Sequence, residues 1–528
     1  MPELSVPWKP RPPVQYGLLA RPFVLIGKAA YAIFAPLLRR FPGPIFFGAV
    51  ISVILIVWVH FLVFSFVDTQ LIAGRTNLAN QTTAFAGPLT VNEARNGLVA
   101  WRRAEEGPML GRAVLAVVTP NVAAYLLWPL QFELVRDIIA MLGVIGFISI
   151  VPMYSIWWER KVSGHIQSRL GPMRVGGWHG WSQSAADGLK LITKEDIIPQ
   201  EADGTLFRMA PYLAFVPAVL AFMALPFGTY WVFRNLDVAL IFILAMMGIE
   251  VVGVIVAGWA SNNKWAVYGA MREACQMVSY EIPMGMGLLI PVMTIGSLSM
   301  IAIGDAQAGG MWNWLAFRNP FLFVAGLSYY VASLANCKRA PFDLPESESE
   351  LVAGFHTEYS GFRFSLFFFA EYAAMFVVSG LAVILFFGAW HSPLPASIGE
   401  WADASIGGLG AAAIRGLLVS GPLWFVAKCV FLIYVQMWIR WTLPRIRIDQ
   451  VLYACVQVML PMMMLVLLGN ALWELFIPHE SMFGRGVNYL LFGVGVIVTL
   501  TIIGIVLYGW WHRRRLVGNL AADILPGS

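Results

Sequence analysis

Charge is what this chain has least of. Only 12% of its 528 residues are Asp, Glu, Lys or Arg, whereas 59% are hydrophobic. A soluble chain is about a quarter charged and about half apolar, so a water-soluble globular enzyme is excluded and an all-α polytopic membrane protein is expected. Cysteine is scarce too. The four present, Cys275, Cys337, Cys429 and Cys455, are widely spaced, form no CxxC pair and have no histidine partners. Zinc and iron–sulfur sites need clustered ligands, so the sequence predicts no metal held by this chain, and its thiols read as small buried hydrophobes. The seven histidines are scattered. His60 sits alone in an apolar run, whereas a bis-histidine haem needs inward-facing partners on neighbouring spans. GPMRVGG, residues 171–177, lacks the GK[ST] of a phosphate-binding loop. A chain this apolar offers nucleic acid no surface, and neither internal repeats nor low-complexity segments stand out.

Long hydrophobic runs are what it has in plenty. Crossing the hydrocarbon as a helix takes about 20 mostly apolar residues. Such runs lie at 45–67, 138–158, 211–233, 238–260, 277–303, 320–335, 364–390, 417–439, 451–473 and 488–511, which predicts about ten transmembrane helices. The sixth is short and is expected to be little tilted or flanked by interfacial residues. The first follows a basic tail, residues 1–44, with Lys9, Arg11, Arg21, Lys28, Arg39 and Arg40; it begins too late and runs too long for a cleaved signal and reads as an anchor. With the N-terminus in the cytoplasm, ten crossings return the C-terminus there. The inner segments then hold 24 of the 35 Lys and Arg, the outer ones 10, and Lys428 lies in a span, which is the bias of the positive-inside rule. Segment 68–137 becomes the one sizeable excursion on the outer side.

One stretch organises the rest. Residues 336–371 carry Asp343, Glu346, Glu348, Glu350, Glu358 and Glu371 between two apolar runs. Acids crowded at a membrane repel one another and lose hydration, so their protonation becomes interdependent, as a proton-handling site requires. The ordinary alternative is a solvated loop followed by a helix that begins at Pro345 with acids in its first turn. Within the spans, Glu250, Glu281 and Glu371 each fall roughly 6–16 Å inside the predicted inner boundary at about 1.5 Å per residue. Lys428 is a candidate counter-charge. A charge at mid-span costs about 2.5–3.5 kcal/mol and usually faces protein or water. One such acid would read as a packing contact; three at one depth favour a hydrated proton path. Glu346 and Glu350, four apart, would share one face of a helix.

The inner loop 159–210 is basic, with Arg160, Lys161, Arg169, Arg174, Lys190, Lys194 and Arg208, and has Gly-Pro and Gly-Gly turns. SQSAADGLKLITKED reads as a short amphipathic helix that groups Ala185, Leu189 and Ile192 and sets Asp187 three residues before Lys190. Inner-loop basicity explains the charge, while the interleaved Gly, Trp and acids point to a folded element in the interface.

ERKVSGHIQSRLGPMRVG, ADGLKLITKEDIIP, RMAP, QMVSYE, RAPFDLPESESELVAGFHTEYSGFRFSLFFFAEY and WIRWTLPRIRIDQ resemble the H-subunit family of proton-translocating NADH–quinone oxidoreductase, respiratory complex I, whose mitochondrial counterpart is subunit 1. The resemblance covers roughly 138–475 and implies an eight-helix core. The span at 45–67, and 476–528 with its own span and basic tail, are additions at the two ends. It also implies a heel between the membrane and peripheral arms of the complex, in a bacterial inner membrane. Its partners would be peripheral-arm quinone-module subunits and small and antiporter-like membrane subunits. The substrate would be a quinone, ubiquinone or menaquinone, with FMN and iron–sulfur clusters in partner subunits and no cofactor on this chain. Carried over residue by residue, the quinone-cavity positions are Glu159, Arg160, Asp187, Lys190, Arg339 and Arg440. The proton path becomes Glu250, Glu281, Glu346, Glu348, Glu350, Glu358 and Glu371.

Two departures stand out. Where the family usually reads AETNRAPFD this chain has ANCKRAPFD, so Asn336 replaces a glutamate and Lys338 an asparagine. Where it usually reads DRYGPNRVG the chain has SRLGPMRVG, so Ser168 and Met173 lose polar groups. Two other classes compete with this reading. An independent proton-coupled transporter would show inverted repeats and broken helices, and a membrane subunit of an energy-converting hydrogenase would bind no quinone.

Overall fold

The computed structural model describes residues 133–176, 178–228, 232–233, 235–345, 347–394, 421–477, 482–497, 500–501 and 504. Among the described residues every regular element is helical and there is no strand. The long elements are α1 Glu133–Ile166, α2 Gln183–Thr193, α3 Gly204–Ala224, α4 Ala239–Ala260, α5 Lys264–Ile295, α6 Pro320–Asn336, α7 Gly361–Phe386, α8 Pro422–Thr442, α9 Ile448–Phe476 and α10 Met482–Ile497. Seven are long and apolar enough to cross a membrane: α1 from Met141, α3, α4, α5, α7, α8 and α9. α6 and α10 are shorter apolar helices. The expected segments 1–44, 45–67 and nearly all of 68–137 fall outside the described residues, as does the end of 488–511.

Several boundaries move, for one physical reason. Hydropathy marks where the chain is greasy, whereas a helix continues wherever its backbone hydrogen bonds do. α1 therefore runs on to Ile166, eight residues past the apolar run, through Glu159, Arg160 and Lys161. α3 starts at Gly204, because Asp203 Oδ1 accepts from the Thr205 and Leu206 amides and so satisfies two of its orphan donors. α5 begins at Lys264 rather than 277, with Arg272 and Glu273 inside the helix. The helix expected from Pro345 is a single turn, Glu348–Leu351, closed by Val352 with φ 67°.

The chain divides into two compact units. The first comprises the described residues up to Leu220, with Gly248–Met271 and Pro345–Ala373. Its core is Phe207, Ala210, Ala214, Val254, Ala257, Ala260, Ala270, Phe355, Tyr359 and Phe367. Small residues let the helices approach closely: a Cβ on Gly253 would meet the Ala214 nitrogen at 2.5 Å. Phe207 and Tyr359 stack at 4.1 Å, and the Tyr359 hydroxyl donates to the Phe207 carbonyl at 3.2 Å.

The second unit comprises Ala221–Met247, Arg272–Leu344 and the described residues from Ala374. Buried amides tie it together. Asn319 caps α6 by accepting from the Leu322 amide at 2.7 Å and donates to Asn470 at 2.9 Å. Gln307 donates to the Ile384 carbonyl at 2.7 Å and accepts from the Gly388 amide at 2.9 Å. Within α9, Ala454–Met459 form a π-turn just before Pro461; proline has no amide hydrogen to continue the ladder, and the wider turn absorbs the defect.

Candidate functional site

In the first unit the end of α1 meets α2. Arg160 Nη1 lies 2.5 Å from Asp187 Oδ2, and Lys190 Nζ lies 3.6 Å from Asp187 Oδ1. Gln183 donates to the same Oδ1 at 3.3 Å. The three-residue spacing of Asp187 and Lys190 on a helix brings them together, and the loop after α1 folds back to bring Arg160 in. That return depends on Gly171, where a Cβ would sit 2.8 Å from the Arg160 carbonyl. Glu159, one residue before Arg160, is buried, and its Oε2 accepts from the Tyr372 hydroxyl of α7 at 2.6 Å. Four of the six expected quinone-cavity residues therefore share one corner. Tyr372, 213 residues along from its partner, gives no local signal in the sequence.

The segment leaving α2 is fixed to the start of α7. Arg363 Nη2 pairs with Asp196 at 2.9 Å, and the Ile197 amide donates to Ser360 Oγ at 3.0 Å. Beside it, Glu358 accepts from Asn263 at 2.6 Å and lines an open pocket of about 470 Å³ with Glu201, Ser261, Asn262 and Lys264. Burial pushes the Tyr359 phenol above its ordinary pKa, with Arg363 pulling the other way. His356, which sequence reading passed over, is buried against the rings of Phe355, Phe364 and Phe368.

Glu250 and Glu371 are buried, Glu281 is half-buried and Glu350 is exposed. Glu346 and the Glu348 side chain lie outside the described residues. Counted from the helix ends Ala260 and Gly361, Glu250 and Glu371 each sit ten residues in, about 15 Å. Glu281 sits seventeen residues from Lys264, about 25 Å.

In the second unit Arg339 is buried, and Arg440 closes α8 with its guanidinium 5.9 Å from the Trp441 ring. Asp343 pairs with Arg445 at 3.1 Å, and the Ile446 amide donates to the Pro341 carbonyl at 3.1 Å, so the RAPFD and PRIRID segments are bound to one another. Lys428 meets carbonyls rather than a carboxylate: Nζ donates to Phe387, Gly388, Ala389 and His391 at 2.8–3.2 Å and lies 4.4 Å over the Trp314 ring. Among the described residues no group of three or more His, Cys, Asp or Glu is placed to hold a metal.

Comparison with known proteins agrees with these motifs. Residues 139–471 match the NADH dehydrogenase family model. The H subunit of NADH-quinone oxidoreductase from Chlorobaculum parvum is 47% identical over 344 residues, spanning 65% of this chain and 93% of that protein. Its counterpart in Anaeromyxobacter dehalogenans is 44% identical over 355 residues, 67% of this chain and 84% of that one. The second such H subunit of Rhizobium meliloti is 44% identical over 346 residues, 62% and 96% respectively. With its long apolar helices, the motifs at the α1–α2 corner and a match over most of its described length, the chain belongs to the NADH dehydrogenase family, beside the H subunits of NADH-quinone oxidoreductase.

Proposed function

We propose that this chain is the membrane heel subunit of a proton-translocating NADH:quinone oxidoreductase, inactive alone, in a bacterial inner membrane with both termini on the cytoplasmic side. Its neighbours are the peripheral-arm quinone-module subunits, which hold FMN and iron–sulfur clusters, and the small and antiporter-like membrane subunits. The observation that carries the reading is the α1–α2 corner, where Arg160, Asp187 and Lys190 form one network next to buried Glu159. Such an arrangement suits a polar head-group that gains negative charge.

Quinone enters from the bilayer, and two electrons from a partner's cluster with two protons convert it to quinol. Arg160, Arg339 and Lys190 stabilise the developing anion, Asp187 orients groups or relays protons, and Glu159 and Arg440 are further quinone-cavity positions. Preorganised charges of this kind need no rearrangement as the reaction proceeds. Glu250, Glu281, Glu346, Glu348, Glu350, Glu358 and Glu371 then change protonation and pass the electrostatic change to the pumping subunits.

The test is Glu281→Gln in the native complex purified in mild detergent. NADH:quinone turnover coupled to proton translocation should fall about tenfold or more with an unchanged set of co-purifying subunits. Normal turnover and proton stoichiometry would remove Glu281 from the path. Purification without an NADH-oxidising flavoprotein would point instead to a hydrogenase-type assembly or a free-standing transporter.

A further inference from the structure

Where the resemblance implies a glutamate and an asparagine, this chain has Asn336 and Lys338, and a carboxylate lies beside Lys338. Glu273 of α5 is fully buried, and its Oε1 lies 2.6 Å from Lys338 Nζ, itself 95% buried. One turn further along α5, Gln276 donates to the Ala335 carbonyl at 2.8 Å, so this face of α5 is packed on the end of α6, where Asn336 is buried too. We propose that Glu273 stands in for the carboxylate missing at position 336, as a proton-holding residue delivered from the neighbouring helix and matched by its own cation, Lys338. This rests on the proton-translocating reading above and adds a residue to it.

Two physical arguments support a working role over a structural one. A buried ion pair contributes little to stability, since desolvating both charges offsets their attraction and apolar residues of similar volume often do as well. The α5–α6 contact is moreover already secured by the Gln276 hydrogen bond. The second argument is conformational. Lys338 has φ 53°, a left-handed backbone that asparagine tolerates and a long side chain does not favour. The usual asparagine would be at ease there; lysine accepts the strain and brings a charge. The pair can take up one proton on the Glu273 carboxylate, with Lys338 remaining protonated, and release that proton to restore the ion pair. Two charges on adjacent elements thereby alternate between net zero and net plus one.

The experiment uses the complete complex in native membranes, with NADH oxidation and proton translocation measured together. Glu273→Gln should lower proton translocation about tenfold or more, and Glu273→Asp should recover at least a third of it. Because Glu273→Gln removes the carboxylate beside a buried lysine and can block assembly, the deciding variant is the double Glu273→Gln with Lys338→Gln, which removes both charges of the pair. The proposal expects this double variant to assemble with a full subunit set and translocate few protons per NADH. Wild-type translocation in it would overturn the proposal. Adding Asn336→Glu to Glu273→Gln and Lys338→Asn should restore translocation, and failure to do so would refute the substitution for position 336. If Glu281→Gln is impaired while the double variant is normal, this inference alone fails. If wild-type membranes show no NADH-driven proton translocation, both fail.

Discussion

At the scale of single residues, burial and hydrogen-bond partners separate side chains that sequence cannot. His391 lies between α7 and α8, its imidazole 3.6 Å from Asp305, and burial holds its pKa below the ordinary histidine value despite the pull of Asp305. In the unfolded chain it protonates near pH 6.5. Between that point and its lower folded pKa the unfolded chain binds more protons. His391 therefore contributes stability that is present above about pH 6.5 and is lost as the pH falls toward the folded value. The thermal midpoint of the detergent-purified complex should drop between pH 7.5 and 5.5, and His391→Gln should shrink that drop. An identical drop in the variant would assign the acid sensitivity to other groups.

At the scale of elements, Lys428 shows how position along a helix differs from role. A lysine in mid-span reads as a partner for nearby acids. Here its ammonium donates to four carbonyls just past the end of α7, those of Phe387, Gly388, Ala389 and His391, where the chain has left the helix and its carbonyls are outside the regular ladder. A cation there also complements the negative end of the helix dipole. Lys428→Met should therefore destabilise the α7–α8 connection by about 3 kcal/mol, the order of losing charged hydrogen bonds and leaving carbonyls unsatisfied, read as a lower thermal midpoint. A midpoint within a degree of wild type would mean that the carbonyls find other partners. The same contrast shows what the sequence made legible. Apolar runs located nearly every described long helix, and the three-residue spacing of Asp187 and Lys190 foretold their contact. The ends of α1 and α5 were not legible, because charged residues interrupt hydropathy without interrupting a helix. The Glu159–Tyr372 and Glu273–Lys338 pairs were not legible either, because each joins positions far apart in the chain through packing that no local pattern encodes.

At the scale of the whole molecule, the family match and the additions can be separated experimentally. The match ends at 139 and 471, and the Chlorobaculum parvum relative is covered over 93% of its length by this chain. The family core thus supplies its own helix contacts, such as Asn319 to Asn470 and Tyr280 to the Val451 carbonyl. Deleting 1–132 and 478–528 removes one expected span from each end and basic residues from both sides of the membrane. An inside excess remains in 159–210 and 440–447, and that excess sets orientation. A chain restricted to 133–477 should therefore insert with α2 on the cytoplasmic side and co-purify with the same partner subunits. Cysteine accessibility at Lys194→Cys would check the orientation, and the subunit list would check assembly. Loss of the partners from a correctly inserted core would show that the terminal additions hold the complex together, rather than facing only lipid.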